Sequence, residues 1–170
     1  MNQLLLILVL IFNQSTWSVF KSENPNFSLL FPGEVIQKEK SIKTEIGEVK
    51  VKTIYCISSV DSTDNELYLL NYYKMDNRIF EGDSSITKED YFASTIDQIS
   101  KEIDGKILYS NNKVNDDIAI STYRLETESK SMKGKIVLAK GYFFSLQVFT
   151  PKQYSLNKNM DKFLDSFYVK

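Results

Sequence analysis

The stretch TKEDYFASTIDQISKEIDG, Thr87–Gly105, is the clearest helical pattern in the chain, and strand patterns lie on both sides of it. Phe92, Ile96, Ile99 and Ile103 are spaced by four, three and four residues, which sets one apolar stripe along a helix. Thr87, with Asp90 three residues later, forms a capping-box pattern. Gly105 stands where a C-cap glycine would stop the helix. Burying the four stripe residues is worth roughly 6–12 kcal/mol gross.

Upstream of this helix the patterns are extended. Phe27–Phe31 reads as a short strand ended by Pro32-Gly33, a pair that predicts a type II turn with Gly33 at positive φ. Lys38–Glu45 and Glu48–Ser58 read as a hairpin turning at Ile46-Gly47. Val49, Val51, Thr53, Tyr55 and Ile57 share one face of its second strand. A polar loop, Asp61–Asn65, leads to ELYLLNYYKM, Glu66–Met75, which is apolar or aromatic on both faces and so belongs inside a sheet.

Downstream, Lys106–Ser110, Ile118–Thr127, Lys135–Lys140 and Tyr142–Thr150 read as a meander, with a loop at Asn111–Asp117. Pro151 ends the sheet, and Ser155–Tyr168 reads as a closing helix with Met160, Phe163, Leu164 and Phe167 inward. Strands, helix, strands, helix is the order of an α+β fold. The expectation is one domain, residues 19–170, built on an antiparallel sheet of about six or seven strands with helices packed on its faces.

Composition removes several chemistries. The 170 residues are 42% hydrophobic and 13% aromatic, which suits one well-buried, sheet-rich domain. There is no histidine, so Ser-His-Asp, Cys-His and imidazole-ligated zinc sites cannot be built. Cys56 is the single cysteine and lies in the apolar run TIYCIS, as a buried structural thiol would. The net charge of −1 supplies no field for nucleic acid.

The first residues read as a leader. Leu4–Phe12 are nine consecutive apolar residues, far short of the ~20 needed to cross a bilayer, followed by the polar run Asn13–Thr16. Residues 1–18 are therefore expected to be a signal peptide. Thr16 and Ser18 offer a small-x-small cut that leaves Val19 first, while a cut before Gln14 or Ser15 keeps Trp17. The expected location is exported, periplasmic or secreted, with no transmembrane span in the mature chain.

Five elements follow one another in order from Trp17 to Phe167: Trp-x-x-Phe, Phe-Ser-x-x-Phe-Pro-Gly-Glu, Thr-x-x-Gly, Gly-Lys-x-Leu-Tyr-Ser and Lys-Phe-x-Asp-Ser-Phe. Together they resemble an uncharacterised family of exported bacterial proteins with a PsbP-like α+β fold. That resemblance implies an antiparallel sheet with helices on its faces and brings no catalytic motif. Where such relatives have a Gly-containing turn, this chain has Asn111-Asn112 and Asn115-Asp116-Asp117.

The candidate sites are few. Tyr72, Phe92, Ile96 and Phe144 are the residues expected to line an apolar pocket between sheet and helix. Asp61, Asp64, Asp116 and Asp117 are hard oxygen donors of the kind calcium takes, but their loops lack EF-hand spacing, and turn geometry alone accounts for them. No metal or cofactor is expected. Glu89-Asp90 suits a helix N-terminus, so it does not mark a catalytic pair. Val60–Asp104 carries eleven acids against four bases, and Lys130–Lys170 eight bases against two acids. The expected function is a non-enzymatic accessory or binding domain for an envelope protein. The alternatives are a carrier of a small apolar ligand in a cavity between sheet and helix, and a carboxylate-based hydrolase.

Overall fold

Apolar side chains at successive positions of a strand must be buried on both faces, and two segments of this chain carry them. The computed structural model describes residues 17–44, 47–58, 65–81 and 86–170. It sets those two segments, Leu67–Lys74 and Tyr142–Pro151, side by side inside an antiparallel sheet.

In chain order the strands are β1 (Ser18–Glu23), β2 (Asn26–Phe31), β3 (Ile36–Thr44), β4 (Gly47–Ile57) and β5 (Leu67–Lys74). A 3₁₀ turn (Asn77–Phe80) then leads to the helix α1 (Lys88–Glu102). After it come β6 (Lys106–Val114), β7 (Ile118–Glu126), β8 (Lys130–Ala139) and β9 (Tyr142–Pro151). The helix α2 (Lys158–Asp165) and the short β10 (Tyr168–Val169) close the chain. Seven strands form one antiparallel sheet in the order β3-β4-β5-β9-β8-β7-β6, and three form a small sheet in the order β1-β2-β10.

Each face of the large sheet has its own core. On one face β2 and α2 pack against the inward residues of β4, β5, β8 and β9, including Ile54, Tyr68, Leu70, Tyr72, Phe144 and Leu146. On the other face α1 lies over β6 and β7, and Phe92 and Ile96 meet Tyr123, Leu125, Ile136 and Phe143. The expected helical stripe is therefore the buried face of α1, with Ile99 and Ile103 at its half-buried end. Thr87 caps the helix: its hydroxyl accepts from Asp90 N–H at 3.0 Å and donates to the Asp90 carboxylate at 2.7 Å.

Several boundaries differ from the expected ones. The left-handed residue at the end of α1 is Asp104 (φ 51°), not Gly105. Gly105 N–H instead donates to Ser100 O at 2.8 Å and Asp104 N–H to Lys101 O at 3.3 Å, the paired bonds of a Schellman end. The bend at Pro32-Gly33 is present, but Gly33 has no positive φ, so it is not a type II turn. Smallness is what counts there, because a Cβ on Gly33 would lie 3.3 Å from Cys56 Sγ. Cys56 itself is a free, buried thiol, and burial pushes its pKa up.

Asn111–Val114, expected as loop, continue β6 by pairing with Ala119–Thr122. The turn shrinks to Asn115–Asp117, with Asn115 N–H donating to Ile118 O at 3.1 Å. β1 is a strand that the sequence reading omitted. It pairs with β2 from Ser18↔Phe31 to Glu23↔Asn26, so a domain start at residue 19 falls inside it.

Tyr123 lies flat across β8, where a Cβ on Gly134 would stand 2.2 Å from Tyr123 Cζ. Gly134→Ala must displace that ring from a filled core, and is expected to cost about 2 kcal/mol or more. Gly33→Ala, facing one compressible sulfur contact, should cost less than about 1 kcal/mol. Urea unfolding of the two variants checks the ranking, which equal midpoints would refute.

Candidate binding surfaces

Neighbouring residues of a strand point to opposite faces, and that alternation divides the predicted pocket residues. Tyr72 and Phe144 are register partners on β5 and β9, their rings stacked at 5.9 Å. Both meet the edge of Phe27 on β2, at 5.2 and 5.5 Å. Phe92 and Ile96 sit beneath α1 on the other face, 0% and 2% exposed. The sheet separates the two pairs, so the four residues line no common cavity. The rings that do reach α1 are one position along each strand. Tyr73 stacks on Phe143 at 4.8 Å, and its hydroxyl shares a 2.7 Å hydrogen bond with that of Tyr91.

Tyr72 has a second role at the junction of the two sheets. With Phe20 and Ile54 it floors an open groove of about 460 Å³ whose walls are Lys21, Glu39 and Lys52. Lys52 Nζ lies 5.9 Å from the centre of the Tyr72 ring. An apolar floor under charged walls suits an amphipathic or polar chain better than a buried apolar molecule.

Asp116 and Asp117 border a smaller cleft of about 220 Å³ at the start of α1, with Met75, Phe80, Glu81 and Lys88. Lys88 Nζ reaches Asn115 O and Asp116 O at 3.3 Å each, so a protein cation already occupies the oxygen-rich turn. Among the described residues no three His, Cys, Asp or Glu side chains are gathered as metal ligands. Asp61 and Asp64 lie outside the described residues. Asp76, whose carboxyl Arg78 holds down at about 2 by hydrogen bonding, caps the 3₁₀ turn. Glu89 and Asp90 belong to the first turn of α1, and Asp90 is taken up by the Thr87 cap.

A third cleft, also about 460 Å³, runs between α2 and the sheet, lined by Tyr109, Asn111, Thr122, Lys133, Lys135 and Leu164. Lys133 pairs with Asp161, and Lys135 pairs with Asp165 at 3.0 Å while donating to Leu164 O at 2.5 Å. The two charged segments of the sequence thus part company in space. The acid-rich α1, with Glu89, Asp90, Asp97 and Glu102, covers one face of the sheet. Lys133, Lys135, Lys158 and Lys162 gather with α2 on the other.

Beneath α1, Ser121, Tyr123, Ser145 and Gln147 form a buried polar track across β7 and β9. Gln147 Nε2 donates to Ser145 Oγ at 3.2 Å, but neither group is in hydrogen-bond geometry with the Tyr123 hydroxyl. Burial pushes Tyr123 up to about 12, partly offset by the nearby Gln147 and Ser145. A raised tyrosine pKa means stability that is present below pH ~10 and lost as pH rises towards 12. Tyr123→Phe removes an unpartnered buried hydroxyl, so it should be neutral or stabilising at pH 7 and flatten this alkaline loss. Denaturation midpoints between pH 8 and 12 test it, and an unchanged alkaline slope would sink it.

No protein-family model matches the chain, and neither does any curated protein. Among solved structures, the solution structure of cyanobacterial PsbP (CyanoP) from Synechocystis sp. PCC 6803 is similar, with a TM-score of 0.61 at 9% identity. The match covers 92% of this chain and 94% of that one. At that identity the likeness concerns the fold alone: the chain has a PsbP-like α+β fold, an antiparallel sheet with helices on its faces.

Proposed function

We propose that the chain is an exported, periplasmic or secreted, non-enzymatic accessory domain that binds an envelope protein through its surface. The observation behind this reading is the contrast between interior and exterior. Both cores are filled ring on ring, whereas the clefts are open and polar-walled, and the charge of the surface is divided between the two faces of the sheet. Opposite charge on opposite faces orients an approaching charged partner before contact. The protein used as bait in envelope extract should retain a partner at low salt and release it at high salt. Capture that ignores salt would refute the electrostatic part of the proposal.

The carrier reading keeps one supporting observation, the groove floored by Tyr72, Ile54 and Phe20. Native mass spectrometry of the protein from its own host decides it: a retained small apolar ligand supports a carrier, and a bare chain mass removes it. Nothing in the placement of the described carboxylates favours the hydrolase.

Export carries its own consequence for processing. Trp17 meets Tyr68 edge to face at 5.7 Å, and Lys162 Nζ sits 4.3 Å from the Trp17 ring centre. A cut after Ser18 would discard this clasp and the first β1 pair, so the mature chain should begin at or upstream of Trp17. Intact-mass measurement of the exported protein tests this, and an N-terminus at Val19 contradicts it. Trp17→Ala is expected to cost about 1–3 kcal/mol, from lost aromatic and cation–π contact.

A further inference from the structure

We infer that the outer edge of β6 is a docking edge for an extended, acidic segment of another polypeptide, which adds to the large sheet as an eighth strand. This rests on the binding-domain reading above and gives that reading a place and a chemistry.

The two edges of the large sheet are built differently. β3 carries Lys38, Glu39 and Lys40 in succession, the alternating charge that deters a strange strand from pairing. β6, KILYSNNKV, carries charge only at Lys106 and Lys113, and all nine of its residues are exposed. Ile107, Leu108 and Tyr109 are each 39–40% exposed. The register with β7 shifts between Ile107 and Tyr109, so regular pairing is available over Tyr109–Val114. A strand of about six residues, ~20 Å long, fits that length.

Beside this edge runs the cleft under α2. Tyr109 and Asn111 belong to the edge strand and also line the cleft. Alternate side chains of a strand paired with β6 would therefore fall on the cleft side. This is how main-chain pairing supplies affinity and an adjacent cleft supplies choice.

Charge selects the partner. Arg124, opposite Tyr109 in register, bonds Ser131 Oγ at 3.1 Å and has no carboxylate partner among the described residues. Lys113 has none either among the described ion pairs, and Lys106 lies opposite Glu126, whose carboxylate is engaged at 3.5 Å by Lys152. Lys133 and Lys135 are already matched by Asp161 and Asp165. The cations left over on the cleft side of β6 and β7 are Lys106, Lys113 and Arg124, and an acidic strand would complement them. A second copy of this chain, paired β6 to β6 about a two-fold axis normal to the sheet, would double those cations on one face.

The test uses two short capped peptides, one alternating glutamate with valine and one alternating lysine with valine. The glutamate peptide should bind and slow amide hydrogen exchange across Tyr109–Val114, and the lysine peptide should not. Lys113→Glu, a surface change that leaves the fold intact, should weaken the glutamate peptide about tenfold. Asn112→Pro should abolish the slowed exchange by denying the new strand a flat edge. Three results overturn the inference: no binding, equal binding to Lys113→Glu, or protection centred on the Tyr72 groove. A concentration-dependent dimer lost in Asn112→Pro would also overturn it, in favour of a second copy. Partner capture from envelope extract separates the two levels. Capture that survives both substitutions leaves a binding domain with another surface, and no capture by any form removes the broader reading as well.

Discussion

Burial of β5 and β9 on both faces is the constraint from which the rest of the architecture follows. A strand with Tyr72 on one side and Tyr73 on the other cannot sit at a sheet surface facing water. Cover is needed twice, and the chain supplies it by different means. One face receives a helix whose apolar stripe is continuous over about three turns, and the other receives a small sheet with a short helix beside it. At the centre of the second face three rings, Phe27, Tyr72 and Phe144, lie within 6 Å of one another. Aromatic pairs of this kind add specificity beyond their area, and they fix how β2 lies across the strands below.

The same two-sidedness explains what could be read from the sequence. α1 was legible because a stripe, a cap and a stop all agreed within one segment. The interior position of β5 was legible because nothing polar interrupts it until Asn71. The facing of the rings was not legible. In Tyr142-Phe143-Phe144 every residue is apolar, so no alternation marks which ring meets the helix, and the predicted site took Phe144 where Phe143 is the contact. The far half of β6 was hidden for the opposite reason: Ser-Asn-Asn-Lys has turn-like composition, and only tertiary pairing with β7 makes it a strand. β1 was obscured by following closely in sequence on the apolar run Leu4–Phe12, although Trp17 just before it and Phe20 within it both pack on the core.

Among the described residues, buried polar groups shape the packing and tie distant segments together. The Tyr123 ring fills the space that Gly134 leaves open, and its hydroxyl is buried with it. Asn65, fully buried, is held between Tyr68 and Asn157 by bonds of 2.7 to 3.0 Å, which ties the start of β5 to the cap of α2. These are long-range ties between segments that meet only in the finished fold.

The small sheet takes that dependence furthest. Its middle strand, β2, is hydrogen-bonded on one side by the first strand of the chain and on the other by the last, with Lys170 N–H donating to Asn26 O at 3.0 Å. Contacts that span nearly the whole sequence cannot form while the end of the chain is still being made. A polypeptide emerging from the ribosome therefore holds Phe27, Leu29 and Phe31 without their final cover until α2 and β10 have been made. The small sheet, and with it the cover of this core, is thus the part of the architecture that closes only when Tyr168 and Val169 meet β2.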